Sequence, residues 1–326
     1  MKKSILVAIA ACFLFIGVSK AAAETFSDVP SSSPYYIAIE SLVQSGVLQG
    51  YEDGTFKPDQ SVNRAEALKM ILTGAGIEVK KGLYATGFSD VPLDEWYAGY
   101  VMEGSLRGII QGNPDGTFAG TRTVNKAEFL KMVLQTFEID LSAHQKVGRL
   151  AADVSGNDWF APYLSYAKTV GLTYPTFQNE LEPGELLSRG ECAQILHKMG
   201  LITFGGEGQK MLSIAEAKLI DALVRIYNND IEGAIARADE ALYQSEQALK
   251  VEPDSTAVQA SYLISEAFQK LFYAYNAGVA ESSAQVVLFV NEAKAHADKA
   301  VATNESSKFF ADKVYEHGDT LLSQVE

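Results

Sequence analysis

Three basic residues occupy corresponding places in three similar tetrapeptides, Asn63-Arg64-Ala65-Glu66, Asn125-Lys126-Ala127-Glu128 and Ser188-Arg189-Gly190-Glu191. Asn or Ser followed three residues later by Glu is the pattern of a capping box. The first side chain accepts from the third residue's N–H and the Glu returns the bond, so each tetrapeptide predicts a helix start. That gives Glu66, Glu128 and Glu191 a role but leaves Arg64, Lys126 and Arg189 without one. A cation in the first turn faces the positive end of the helix dipole, at a cost of about 0.3–1 kcal/mol. Beside free backbone N–H groups it would be a receptor for a carboxylate or phosphate. Pairing of each cation with a structural Asp from its own or a neighbouring repeat is the competing reading, and the residues leave the two even.

Asp28, Asp90 and Asp153 are the acids in question, with Trp96 and Trp159 six residues beyond the second and third. An Asp before Val-Pro or Val-Ser is commonly a turn former, and a Trp is commonly core. Carbohydrate sites combine the same types, because an aromatic face stacks on a sugar's C–H surface while a carboxylate accepts from its hydroxyls. The first copy has Pro34 at the Trp position, which weakens that site if the aromatic matters.

These residues recur because the first half of the chain is a repeat. Blocks of about 47 residues begin at Phe26, Phe88 and Ala151, spanning about 26–72, 88–134 and 151–196. Each predicts a first helix carrying Tyr36, Ile39, Leu42 and Val43, or Tyr97, Val101 and Leu106, or Phe160, Leu164 and Ala167. The helix stops at Gly46, Gly108 or Gly171, a residue suited to a left-handed C-cap. Asp-Gly turns follow at Asp53-Gly54 and Asp115-Gly116, replaced in the third copy by Gln178-Asn179-Glu180-Leu181, where Asn179 accepts a positive φ. The capped second helix comes next.

After Phe204-Gly205-Gly206-Glu207-Gly208, which suggests a flexible joint, the repeat is gone and residues 206–326 predict a helical domain. Ser213 with Glu216 suggests a capping box, and Leu219, Leu223 and Ile226 a first apolar stripe. Asp254, after Glu252-Pro253, is positioned to cap a third helix, and five helices in a bundle or as hairpins account for the rest.

Met1-Lys2-Lys3, the apolar run Ile5 to Val18 and Ala21-Ala22-Ala23 form a signal-peptide pattern over residues 1–23, implying export. The run is short for a membrane anchor, and a lipoprotein box at Cys12 fits poorly because apolar residues continue to Val18. Cleavage would leave Cys192 alone, with no internal disulfide. A formal net charge of −14 argues against nucleic acid as a partner, without forbidding a local anion site. Catalysis finds no support: His144, His197, His296 and His317 have no metal-ligand spacing, no Gly-x-Ser-x-Gly elbow occurs, and no cofactor is implied. His296 and His317 are expected on solvated helix faces, and Cys192 as a small buried residue.

The Phe-Ser-Asp-Val-Pro start, the Gly followed by Asp-Gly-Thr-Phe, and the Arg-Ala-Glu helix opening resemble the S-layer homology repeat across residues 24–205. The resemblance implies a mainly α fold in which three helix-loop-helix repeats form a pseudo-threefold, three-pronged spindle. Its inter-repeat grooves would bind secondary cell-wall polysaccharide or a peptidoglycan-linked anionic glycan, often one bearing pyruvate ketals. The family's carboxylate-binding basic residue falls on Arg64, Lys126 and Arg189, and the candidate contacts around it are Asp28, Glu66, Asp90, Trp96, Glu128, Asp153, Trp159 and Glu191. The departures predict unequal grooves: Lys126 lacks the guanidinium fork, Gly190 stands where Ala is usual, and the third copy lacks Asp-Gly-Thr-Phe. A non-enzymatic protein anchored at the cell wall is the leading reading, its C-terminal helices a spacer or a surface for other surface proteins. An anchored enzyme or solute-binding protein with its site in those helices is the alternative.

Overall fold

The structure is a computed structural model describing residues 25–80, 82 and 85–325, so the signal-peptide pattern of residues 1–23 lies outside it. Among the described residues it is helical, with four isolated β-bridges. The chain forms two compact units, one of residues 25–167 with 181–203, the other of residues 168–180 with 204–325.

The first unit holds the repeats as helix pairs: α1 Tyr36–Gln44 with α2 Arg64–Gly74, α3 Ala98–Leu106 with α4 Lys126–Thr136, and α5 Ala161–Thr169 with α6 Arg189–Phe204. Gly46, Gly108 and Gly171, after the first helix of each pair, have φ of +74°, +70° and +78°, as their positions predict. The second helices begin with the expected caps. Asn63 Oδ1 accepts from Glu66 N at 2.9 Å and Asn63 N donates to Glu66 Oε2 at 2.9 Å, worth about 1 kcal/mol per cap, with matching bonds at Asn125–Glu128 and Ser188–Glu191. Phe56, Phe118 and Leu181, at the same place in each loop, are fully buried and hold each loop to its helices.

The next two N–H groups of each second helix reach across to the following repeat. Arg64 N and Ala65 N donate to Arg122 O and Gly120 O, and Lys126 N and Ala127 N to Glu185 O and Pro183 O. Arg189 N and Gly190 N return to Gln60 O and Pro58 O. The order is first to second, second to third, third to first. Each repeat thus satisfies the orphan donors of its predecessor.

The second unit contains the five helices of the C-terminal half: α7 Gly206–Tyr227, α8 Ile231–Val251, α9 Thr256–Val279, α10 Ser283–Thr303 and α11 Lys308–Val325. Consecutive helices pack against each other. Ala234, Ala238 and Ala241 on α8, and Ala293, Ala297 and Ala300 on α10, let backbones approach closely around Phe268, Phe272 and Phe310. Segment 168–180, from the third repeat, belongs to this unit. Tyr174 and Phe177 pack on its core, Asn228 Nδ2 donates to Phe177 O at 2.8 Å, and Lys168 pairs with Asp221 at 3.4 Å.

Four expectations need correction. The Gly-rich stretch 204–208 is helical except at Gly205: α6 ends at Phe204 and α7 begins at Gly206. Ser213 is consequently a buried mid-helix residue donating to Val170 O, not a cap. The cap of α9 is Ser255, one residue beyond Asp254. His296 and His317 are half-buried and engaged, His317 with the Tyr275 hydroxyl at 2.6 Å and His296 3.1 Å from Glu266, because their helix faces pack on α9.

Candidate functional site

The aspartates clamp the loops. Asp28 accepts from Phe56 N and Lys57 N at 2.8 and 2.7 Å, Asp90 from Phe118 N and Ala119 N at 2.7 and 2.7 Å, and Asp153 from Leu181 N and Glu182 N at 2.8 and 2.7 Å. Both carboxylate oxygens of each are occupied by backbone donors. The second residue of each pair, Lys57, Ala119 or Glu182, has φ of 58°, 57° or 52°, a left-handed conformation that these charge-assisted bonds hold in place.

None of the three cations pairs with a clamping Asp. Each extends to the loop of the following repeat. Arg64 Nη2 donates to Gln111 O at 3.3 Å and its guanidinium lies 5.0 Å from the centre of the Phe118 ring. Arg189 donates through Nε to Phe56 O at 3.0 Å and through Nη2 to Gln49 O at 3.2 Å, 4.6 Å from the Phe56 ring and 5.1 Å from the Tyr51 ring. Lys126 Nζ donates to Leu181 O at 3.1 Å but also meets Glu185 at 2.7 Å and Glu182 at 3.8 Å. The anion receptor built from free helix N–H groups is therefore absent, because those groups bond to the next repeat or to the cap. What remains for an anion is the cationic side chain.

Around Arg64 that side chain lines a groove of about 220 Å³ with Gln111, Gly112, Asn113, Arg122, Glu128, Lys131 and Trp159. Arg122 grips Glu128 with both terminal nitrogens, at 3.0 and 2.7 Å. Burial alone would raise the Glu128 carboxyl, but the Arg122 fork and the Asn125 N–H hold it below the ordinary carboxylate value. Glu128 is thus already committed, and Arg64 Nε is buried without a hydrogen-bond partner. Burial lowers the Arg64 pKa, the nearby Glu128 carboxylate opposes it, and the Arg122 charge adds a smaller push in the same direction as burial. A guanidinium with a buried, unbonded Nε in a groove offers an incoming carboxylate a donor that the fold leaves open.

Trp96 and Trp159 are 51% and 56% exposed, not core, and each has a lysine over its face: Lys69 Nζ 5.5 Å from Trp96 and Lys131 Nζ 5.6 Å from Trp159. Sequence reasoning missed Lys69, Lys131 and Arg122. The two lysines were findable, since each stands five residues after the helix-opening cation, where the third repeat has Gln194. Gln194 Nε2 donates to Pro34 O at 2.9 Å, at the position that holds Trp in the other copies. Gly190 admits the Tyr35 ring, whose nearest atom would lie 2.6 Å from an added Cβ.

Comparison with known proteins fits this geometry. Residues 25–68 and 87–130 match the S-layer homology domain. The chain is 22% identical to S-layer protein sap of Bacillus anthracis over 246 residues, 73% of this chain and 30% of that protein. It is 26% identical to the surface-layer 125 kDa protein of Lysinibacillus sphaericus over 164 residues, 49% of this chain and 14% of that one. It is also 27% identical to exoglucanase XynX of Acetivibrio thermocellus over 177 residues, 53% of this chain and 16% of that one. The chain therefore spans a third or less of the length of these relatives. Together the matches indicate an exported cell-surface protein attached through S-layer homology repeats.

Proposed function

We propose that residues 25–203 form a three-repeat anchor that holds the protein non-covalently on an anionic cell-wall polysaccharide, through the grooves of Arg64 and Arg189, and that the protein has no catalytic role. The observation that carries this is the contrast among the cations. Arg64 lies half-buried in a groove with its buried Nε unpartnered, and Arg189 bonds only to neutral carbonyls, whereas Lys126 is neutralised by Glu185 and Glu182. The Lys126 position also lacks the accessory pair: Lys69 with Trp96 and Lys131 with Trp159 give way to Gln194 with Pro34. In this reading the third repeat completes the ring and supplies Arg189, while the groove at Lys126 takes no anion. Asp28, Asp90 and Asp153 shape the loops instead of touching sugar, and Glu66, Glu128 and Glu191 act as caps.

The C-terminal helices then serve as a spacer or an interaction domain. The match to an S-layer protein over 73% of the chain favours this over an anchored enzyme, since the match to the exoglucanase covers 53%. The test is a pull-down on purified cell-wall sacculi before and after extraction of the wall polysaccharide. Binding should vanish with the glycan, and undiminished binding to stripped sacculi would refute the reading.

A further inference from the structure

The second unit carries a cleft that the anchoring reading leaves unused. It measures about 570 Å³ and is lined by Thr169 at the end of α5, Ile214 and Lys218 on α7, and Asp239, Glu240, Tyr243 and Gln244 on α8. We propose that it binds a neutral N-acetylated amino-sugar unit, giving the protein a second saccharide contact distinct from the anionic grooves.

Its size lies within the range of small-ligand sites, about 300–1,000 Å³. Tyr243, one of the lining residues, is 58% exposed and offers a large aromatic face to solvent. Such a face packs on the C–H side of a sugar ring and releases little side-chain freedom in doing so. The polar rim is pre-arranged. Lys218 and Arg237 each reach Glu240 at 2.6 Å, and Arg237 continues to the buried Asp221 at 3.0 Å, which also holds Lys168 at 3.4 Å. Asp239 accepts from Gln269 Nε2 at 2.7 Å. These pairs fix the orientations of Lys218, Asp239 and Glu240 before any ligand arrives, so little ordering cost falls on binding.

The chemistry of the rim selects the ligand. Lys218 and Glu240 already neutralise each other and Asp239 already accepts from Gln269, so the lining offers no unengaged charge to a charged sugar and favours a neutral one. An acetamido group needs an acceptor for its N–H, a donor for its carbonyl and an apolar contact for its methyl. Asp239 or Glu240, Lys218 or Gln244, and Ile214 supply the three within one cleft.

Saturation-transfer NMR of the full chain with triacetylchitotriose tests this. The wild type should show saturable contact, and Tyr243→Ala should weaken it by about tenfold while the circular dichroism spectrum is unchanged. Gln244→Ala should weaken it less, and Arg64→Ala combined with Arg189→Ala should leave it untouched, which separates this site from the grooves. Absence of saturable contact in the wild type, or equal contact in wild type and Tyr243→Ala, would overturn the proposal.

Discussion

Replacing Arg64 by Ala separates binding from folding more cleanly than any other change in the repeats. In the fold, Arg64 makes one long hydrogen bond of 3.3 Å to Gln111 O and one ring contact at 5.0 Å. Their loss costs about 1–2 kcal/mol. Part of that is returned, because removing a cation from the first helical turn relieves about 0.3–1 kcal/mol of dipole repulsion. The Asn63–Glu66 cap is untouched. Stability should hence stay nearly constant. A glycan carboxylate on the guanidinium would lose charge-assisted bonds worth about 1.5–3 kcal/mol, a drop in affinity of about 10- to 150-fold. Lys126→Ala should do the reverse: it removes the 2.7 Å pair with Glu185 and the bond to Leu181 O, costing about 1 kcal/mol because Glu185 is largely in solvent, and leaves affinity unchanged. The assay is paired measurement of thermal midpoint and of binding to purified wall polysaccharide at one fixed salt concentration. Equal losses of affinity in the two variants, or unchanged affinity in Arg64→Ala, would refute the assignment of the grooves.

Asp90→Ala should act on stability alone: two backbone N–H groups lose their acceptor, at about 1–2 kcal/mol, and glycan affinity measured well below the melting point should not change. His197 is buried and its pKa is pushed down to about 4 from 6.5, so the unfolded chain takes up its proton first. Stability should fall by up to ~3 kcal/mol as pH drops from 6.5 to 4 and then level off, and His197→Leu should remove that slope in pH-dependent melting curves. Both tryptophans of the chain are exposed on the repeats, so wall polysaccharide should shift their fluorescence, and Trp159→Phe should remove the part of the signal from the Arg64 groove. A fragment of residues 206–326 should keep helical circular dichroism yet melt lower and bind a hydrophobic dye, since it lacks Tyr174 and Phe177. Addition of residues 168–180 on a covalent linker should reverse both effects.

What the sequence made legible was local. Caps depend on residues three apart, and C-terminal glycines on one backbone angle, so Asn63, Asn125, Gly46 and Gly108 could be placed from spacing alone. The five C-terminal helices were legible for the same reason, through their apolar stripes. The Asp clamp was not, because its acceptors and donors lie 28 and 29 residues apart and only the fold brings them together. Nor was the destination of each cation, which lies in a different repeat. The helical start of α7 at Gly206 was not legible because glycine has two uses. At Gly208 an added Cβ would come within 2.1 Å of the Glu252 carboxylate, so this glycine serves the close approach of α8's end to α7.

The division of the chain also bears on how a surface protein carries load. Residues 168–180 belong with the C-terminal helices, yet the segments on either side of them belong with the repeats, so the polypeptide passes between the units near residues 167, 180 and 203. A pull applied to the C-terminal helices reaches the repeats through three backbone crossings, one continuous with α7 and two engaged through the packing of residues 168–180 on those helices. Each crossing bears a fraction of the tension while that packing holds. For the same reason a single proteolytic cut near Gly205 would leave two crossings intact, and the C-terminal helices would stay with the repeats for as long as they pack on residues 168–180.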